Sequence, residues 1–156
     1  MKKFLILFFG FLFISSFAQE KQKKAPDFSL KTVNNEVLKL SDYKGKTIIL
    51  NFFATWCPPC KMEIPDFVKF YNENKNKGIV VIGICVNSKE QDIKKLIEEY
   101  KINYPVCISD RKVESAYGGI NAVPTTFIID KNGNIITKQI GMMKEEQLKK
   151  VVEKVK

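Results

Sequence analysis

The chain has 156 residues, 45% hydrophobic and 28% charged, with 26 basic residues against 17 acidic ones and a formal net charge of +9. That length suits one domain with a substantial core, and the composition excludes disordered and collagen-like chains. The basic balance does not point to nucleic acid, because the lysines are scattered, Arg111 is the only arginine and no binding motif is present. A solvated lysine surface with weak attraction for acidic partners or anionic membranes accounts for it better.

Lys2 and Lys3 precede the apolar run Phe4 to Ile14, and small residues follow, with Ser16 and Ala18 at the positions of a cleavage site. Residues 1–18 therefore predict a secretory signal peptide. The alternative is an uncleaved tether, although about eleven apolar residues fall short of the ~20 that span a bilayer. No cysteine follows the run to carry a lipid. Residues 19–26 form a polar, flexible lead-in, and the domain occupies 27–156.

Phe28–Lys31 and Glu36–Leu40 predict two short strands about an Asn34-Asn35 turn, followed by a loop over Ser41–Lys46. Thr47–Ala54 is nearly continuous in apolar residues, the pattern of a central strand covered on both faces. Pro58–Lys77 gathers Cys60, Ile64, Phe67, Val68 and Tyr71 on one side of a helix that Pro65 should bend. Ile79–Val86 repeats the buried-strand pattern. Ser88 and Gln91 have capping-box spacing before a helix facing inward through Ile93, Leu96, Ile97 and Tyr100. Tyr104–Ser109 is a short strand. Thr125–Asp130 and Asn134–Ile140 flank Asn132-Gly133, a hairpin signal. Leu148, Val151, Val152 and Val155 close the chain on an amphipathic helix. Buried strands alternating with helices, then a hairpin, predict an α/β fold with a mixed central sheet flanked by helices.

Chemistry concentrates at Trp56-Cys57-Pro58-Pro59-Cys60, at the junction between a buried strand and the first turn of a helix. Free amides and the helix dipole there stabilise a thiolate, which makes an exposed Cys57 the nucleophile. Cys60, facing inward, can resolve a mixed disulfide and leave a Cys57–Cys60 bridge. A zinc site and a structural disulfide compete with this reading. The chain has no histidine and no second Cys-x-x-Cys, so no metal is expected, and a structural bridge usually closes a longer loop.

The segment Leu50 to Cys60, Glu63 behind it and Val123-Pro124-Thr125-Thr126-Phe127 before the hairpin resemble the thioredoxin superfamily, in particular the exported TlpA/ResA-like thiol-disulfide oxidoreductases. The resemblance spans residues 26–155, and the helix and strand near 88–109 match that group's insertion. Where thioredoxin has a buried aspartate this chain has Asn51, which exchanges no proton at ordinary pH. Glu63 then becomes the candidate proton carrier for Cys60, with burial raising its pKa, although a first-turn acid also suits the helix dipole. The resemblance further implies a cis Val123-Pro124 bond packed against the cysteines, with Val123 offering backbone groups to an extended substrate. Trp56, Pro58 and Pro59 complete the candidate binding surface, Trp56 with simple packing as its alternative.

Pro58 and Pro59 remove amide donors near Cys57 and so favour a reductant. Cys85 and Cys107 are expected as buried free thiols, with a second disulfide as the alternative. The resemblance implies a reductase without cofactor in the periplasm or at the outer face of the cytoplasmic membrane, fed by a membrane thiol-disulfide donor and acting on disulfide-containing proteins such as apocytochrome c. A general disulfide reductase or isomerase is the alternative within the class. A peroxiredoxin-like peroxidase would need Pro-x-x-x-Thr-x-x-Cys, whereas Thr55 stands two residues before Cys57. A copper carrier would need Cys-x-x-x-Cys and a histidine.

Overall fold

Three strand segments with almost no polar side chains must lie where both faces are covered, and they form the middle of the sheet. The computed structural model describes residues 23–155; the expected signal peptide, 1–18, lies outside them. The strands are β1 (Ser29–Lys31), β2 (Val37–Lys39), β3 (Thr47–Phe53), β4 (Ile79–Cys85), β5 (Val106–Ile108), β6 (Thr125–Ile129) and β7 (Ile135–Ile140). The helices are α1 (Pro58–Asn74), α2 (Glu90–Tyr100), α3 (Arg111–Ala116) and α4 (Glu145–Glu153). The main sheet runs β5-β4-β3-β6-β7, with β4 parallel to β3 and β5 to β4, β6 antiparallel to β3 and β7 antiparallel to β6, while β1 and β2 form a separate hairpin.

Alternation along β3 divides the core. Asn51 and Phe53 point toward α1, and Phe52 points to the opposite face. There its ring lies 5.5 Å from Tyr117 and 5.8 Å from Phe127, and Tyr117 also packs edge-on against Phe28 of the N-terminal segment. Edge strand β7 alternates half-buried and exposed residues, as expected of a strand with one face to solvent. At the other edge, Thr32 bridges to Cys107 and Val33 N–H donates to Val106 O at 3.2 Å, so the β1-β2 hairpin shields β5.

Several boundaries differ from the sequence reading for identifiable reasons. Helix α1 stops at Asn74 and continues as a 3-10 turn, Lys75–Lys77, because Gly78 takes a φ of 75° that ends it. Pro65 lies on the exposed side and does not end the helix. The expected loop after β2 begins with a 3-10 turn, Leu40–Tyr43. Ser88 does not cap α2: the N-cap is Lys89, and Ser88 is engaged elsewhere. Helix α3, absent from the sequence reading, is capped by Asp110, whose carboxylate accepts from Val113 N–H at 2.8 Å. The described end of the lead-in is held in place. Ile135 N–H donates to Lys23 O at 2.8 Å and Ala25 N–H to Gly133 O at 2.9 Å, anchoring residues 23–25 on the β6-β7 turn.

Candidate active site

Strand β3 delivers the chain into the site, and Cys57 ends that run as the N-cap of α1. Pro58 and Pro59 fill the first helical positions, where a missing N–H costs least and φ is already helical. Cys57 and Cys60 form a disulfide with their Cα atoms 5.3 Å apart. With both prolines lacking an N–H, the Cys60 amide, 3.3 Å from Cys57 Sγ, is the cap donor to that sulfur.

Cys60 is fully buried, as expected, but Cys57 is only 3% exposed, against the sequence reading. The reason lies across the site. Val123-Pro124 is a cis peptide, and Val123 O sits 3.6 Å from Cys57 Sγ, so this turn closes over the sulfur. Thr125 Oγ1 donates to Ala122 O at 2.8 Å and braces the turn. Pro58 and Pro59 remain exposed. Trp56 is 59% exposed, with its indole N–H donating to Asn87 O at 2.9 Å, which ties the ring to the loop after β4.

Helix α1 turns Cys60, Glu63, Ile64, Phe67, Phe70 and Asn74 inward, leaving Val68 and Tyr71 half-buried at the margin. One turn beyond Cys60, Glu63 is 2% exposed. Its Oε1 accepts from Asn51 Nδ2 at 2.8 Å and its Oε2 from the Met143 amide at 2.9 Å. Asn51 also donates to Thr126 Oγ1 at 3.0 Å, so β3, β6 and the approach to α4 all fix one carboxyl group. Burial pushes the Glu63 pKa up to about 7, with nearby Asp66 adding to the rise, while the two donated hydrogen bonds oppose it. A carboxyl that titrates near neutrality one helical turn from a buried resolving cysteine has the pKa a proton carrier needs.

A family model described as AhpC/TSA family matches residues 22–138. A thiol-disulfide oxidoreductase ResA of Bacillus cereus is 33% identical over 152 residues, covering 94% of this chain and 87% of the relative. The chain belongs to the ResA-like thiol-disulfide oxidoreductases of the AhpC/TSA family. Solved structures agree with the assignment. A thiol:disulfide interchange protein of the thioredoxin family from Chlorobium tepidum TLS superposes with a TM-score of 0.83 at 34% identity, covering 88% of this chain and 99% of that one. A second Chlorobium tepidum structure, titled a putative thiol:disulfide interchange protein DsbE, gives 0.79 at 29% identity, with 87% and 97% covered. The oxidoreductase thus has the thioredoxin fold, with the expected insertion at α2 and β5.

The two other cysteines of this oxidoreductase are free and buried. Cys107 pairs in register with Ile84, whereas Cys85 pairs with Ile108, so the thiols lie on opposite faces of the sheet and a bridge between them is excluded. Burial pushes Cys85 up to about 11 and Cys107 up to about 12, which leaves both unreactive near neutrality. Several contacts of the site leave no mark in the sequence. Ser88 Oγ accepts from Thr55 N–H at 3.1 Å and donates to Val86 O at 3.0 Å, tying down the loop before Cys57. Thr126 and the Met143 amide on the Glu63 network make further such contacts. A backbone amide has no sequence signature, and Thr126 was legible only as part of the family segment. A cleft of about 640 Å³ beside Trp56 and Val123 is lined also by Asn87, Arg111 and Glu114.

Proposed function

We propose that this oxidoreductase works as a disulfide reductase of the cell envelope. The observation that carries the direction is the thin amide cap at Cys57, with Cys60 N–H as donor and Pro58 and Pro59 in the places of two further amides. A thiolate with few donors is less stabilised, its thiol less acidic and the dithiol form more reducing.

In the proposed cycle the Cys57 thiolate attacks one sulfur of a client disulfide. A mixed disulfide forms, and the other client sulfur leaves as a thiolate. Glu63 takes the proton of the Cys60 thiol, and the Cys60 thiolate then attacks Cys57 Sγ. The Cys57–Cys60 disulfide forms, the second client thiolate leaves, and Glu63 returns the proton to solvent or to the leaving sulfur. Two electrons have passed to the client, and a dithiol donor restores the pair. Trp56, Pro58, Pro59, Val123 and Pro124 form the contact surface, with the backbone of Val123 pairing to an extended client segment.

The resemblance to ResA and the leader-like residues 1–18 support a position in the periplasm or at the outer face of the cytoplasmic membrane, with apocytochrome c as a client. A disulfide-bonded peptide bearing Cys-x-x-Cys-His tests the reading in single turnover. The dithiol form should reduce it and end as the Cys57–Cys60 disulfide. Cys60→Ser should instead accumulate a mixed disulfide on Cys57, visible by intact mass, and Cys57→Ser should accumulate none. A peptide left fully oxidised by the dithiol protein would contradict the reductase reading.

A further inference from the structure

We propose that the end of the domain opposite the disulfide is a docking surface for anionic lipid headgroups. The cysteines sit beyond the C-terminal end of β3, so the start of β3 marks the far end of the molecule. The 3-10 turn before β4, the β6-β7 turn and the loop before β3 all converge there, because Thr47 pairs with Ile79 and Ile48 with Ile129. Those segments bring Lys24, Lys44, Lys46, Lys75, Lys77 and Lys131 to one end, all exposed.

The net charge there is positive. Among the described residues the ion pairs are Lys69–Glu145, Lys94–Glu90 and Lys149 with Glu73 and Glu145, and none involves these six lysines. Asp27, Asp42 and Asp130 are the acids of the same loops. Asp27 accepts from the Phe28 and Ser41 amides and Asp130 from the Asn132 and Asn134 amides, so both carboxylates are engaged by backbone amides. A cleft of about 450 Å³ opens among Lys24, Lys44, Lys46 and Lys131, with Asp27 and Asp130 at its edge and the apolar Leu40, Tyr43, Ile48 and Ile129 in its lining. Cations around an apolar floor match an anionic amphiphile better than a uniformly polar polyanion.

The path of the chain supports a membrane as the source of that amphiphile. Lys23 and Ala25 are fastened to the β6-β7 turn at this same end, so in the uncleaved alternative the apolar run Phe4 to Ile14 would join the domain here. Docking on this face would leave Trp56 and the disulfide pointing away from the bilayer toward client proteins.

The test uses the chain from Gln19 onward, which removes the apolar run. The first Chlorobium tepidum chain is matched over 99% of its length by 88% of this one and has the same fold, so a chain shortened at its start by these 18 residues keeps the extent of a solved domain. Partition is measured into vesicles of phosphatidylglycerol mixed with phosphatidylcholine and into phosphatidylcholine alone. The protein should bind the first, release it at high salt and ignore the second. A Lys44→Gln, Lys46→Gln, Lys131→Gln variant should lose affinity on the order of a hundredfold, at about fivefold per lysine, with unchanged reduction of a soluble disulfide. Equal loss in a Lys89→Gln, Lys95→Gln, Lys112→Gln control would overturn the proposal. So would equal binding to phosphatidylcholine, or an oligonucleotide that binds more tightly than the anionic vesicles.

Discussion

A carboxyl group enclosed by a helix and a sheet keeps its proton to higher pH than one in water, and Glu63, pushed up to about 7, is such a group. The unfolded chain ionises it near the ordinary glutamate value, so below that value both states are protonated and the native state suffers no penalty. As pH rises toward 7 the unfolded state loses its proton first, and native stability falls by up to roughly 3 kcal/mol. Urea unfolding at stepped pH should therefore show this decline in the native protein and a flat profile over the same window in Glu63→Gln. The variant will start from lower stability, because one of the two donors, Asn51 or the Met143 amide, then meets an amide NH₂. In turnover, Glu63→Gln should slow resolution of the mixed disulfide about 10²-fold and remove the inflection near pH 7 from the rate profile.

The junction between β3 and α1 sets how acidic Cys57 is, through the amides that its sequence leaves available. Pro59→Ala restores an N–H in the first turn, at a position from which capping donors reach the N-cap side chain. Thiolate titration by alkylation should show Cys57 more acidic by about one unit, and the couple should become more oxidising by about 30 mV. Ser88→Ala tests the brace on the same loop. Losing the acceptor for Thr55 N–H should cost about 1 kcal/mol in chemical denaturation and leave the Cys57 titration largely in place. At this scale the sequence was a good guide wherever periodicity was strong. The continuous apolar runs of β3 and β4, the Asn132-Gly133 turn and the inward spacing of Cys60 and Phe67 all appear as read. It failed where a polar residue had two possible partners. Ser88 and Gln91 have the spacing of a capping box, but Thr55, 33 positions earlier, claims the serine hydroxyl, and only the tertiary fold brings the two together.

Packing joins the site to the whole domain. Leu148 of α4 is fully buried, and α4 follows directly on Met143, whose amide holds Glu63. Leu148→Ala should cost about 2–5 kcal/mol by the usual cavity argument, and should also shift the Glu63 titration as that amide loosens. A Cβ added at Gly83 would lie 2.9 Å from Phe53 Cε1 within the covered sheet, so Gly83→Ala should lower stability by about 1–3 kcal/mol in thermal or urea unfolding. The burial of Cys57 shows why part of the site was not legible. Its position in sequence describes an exposed helix start, while the turn that covers it comes from residue 123, brought back by β6. The fate of Cys85 and Cys107 likewise depended on strand register, which alternation within each strand leaves open.

The central claim is that Cys57 and Cys60 form a reducing couple whose proton is handled by Glu63. The most direct test is the redox equilibrium of the pair against glutathione, measured across pH for the native chain and Glu63→Gln. A potential near the reducing thioredoxin value of about −270 mV is expected, with a change of pH slope near 7 that disappears in the variant. A potential near the oxidising value of about −120 mV, or a slope that Glu63→Gln leaves untouched, would contradict the account.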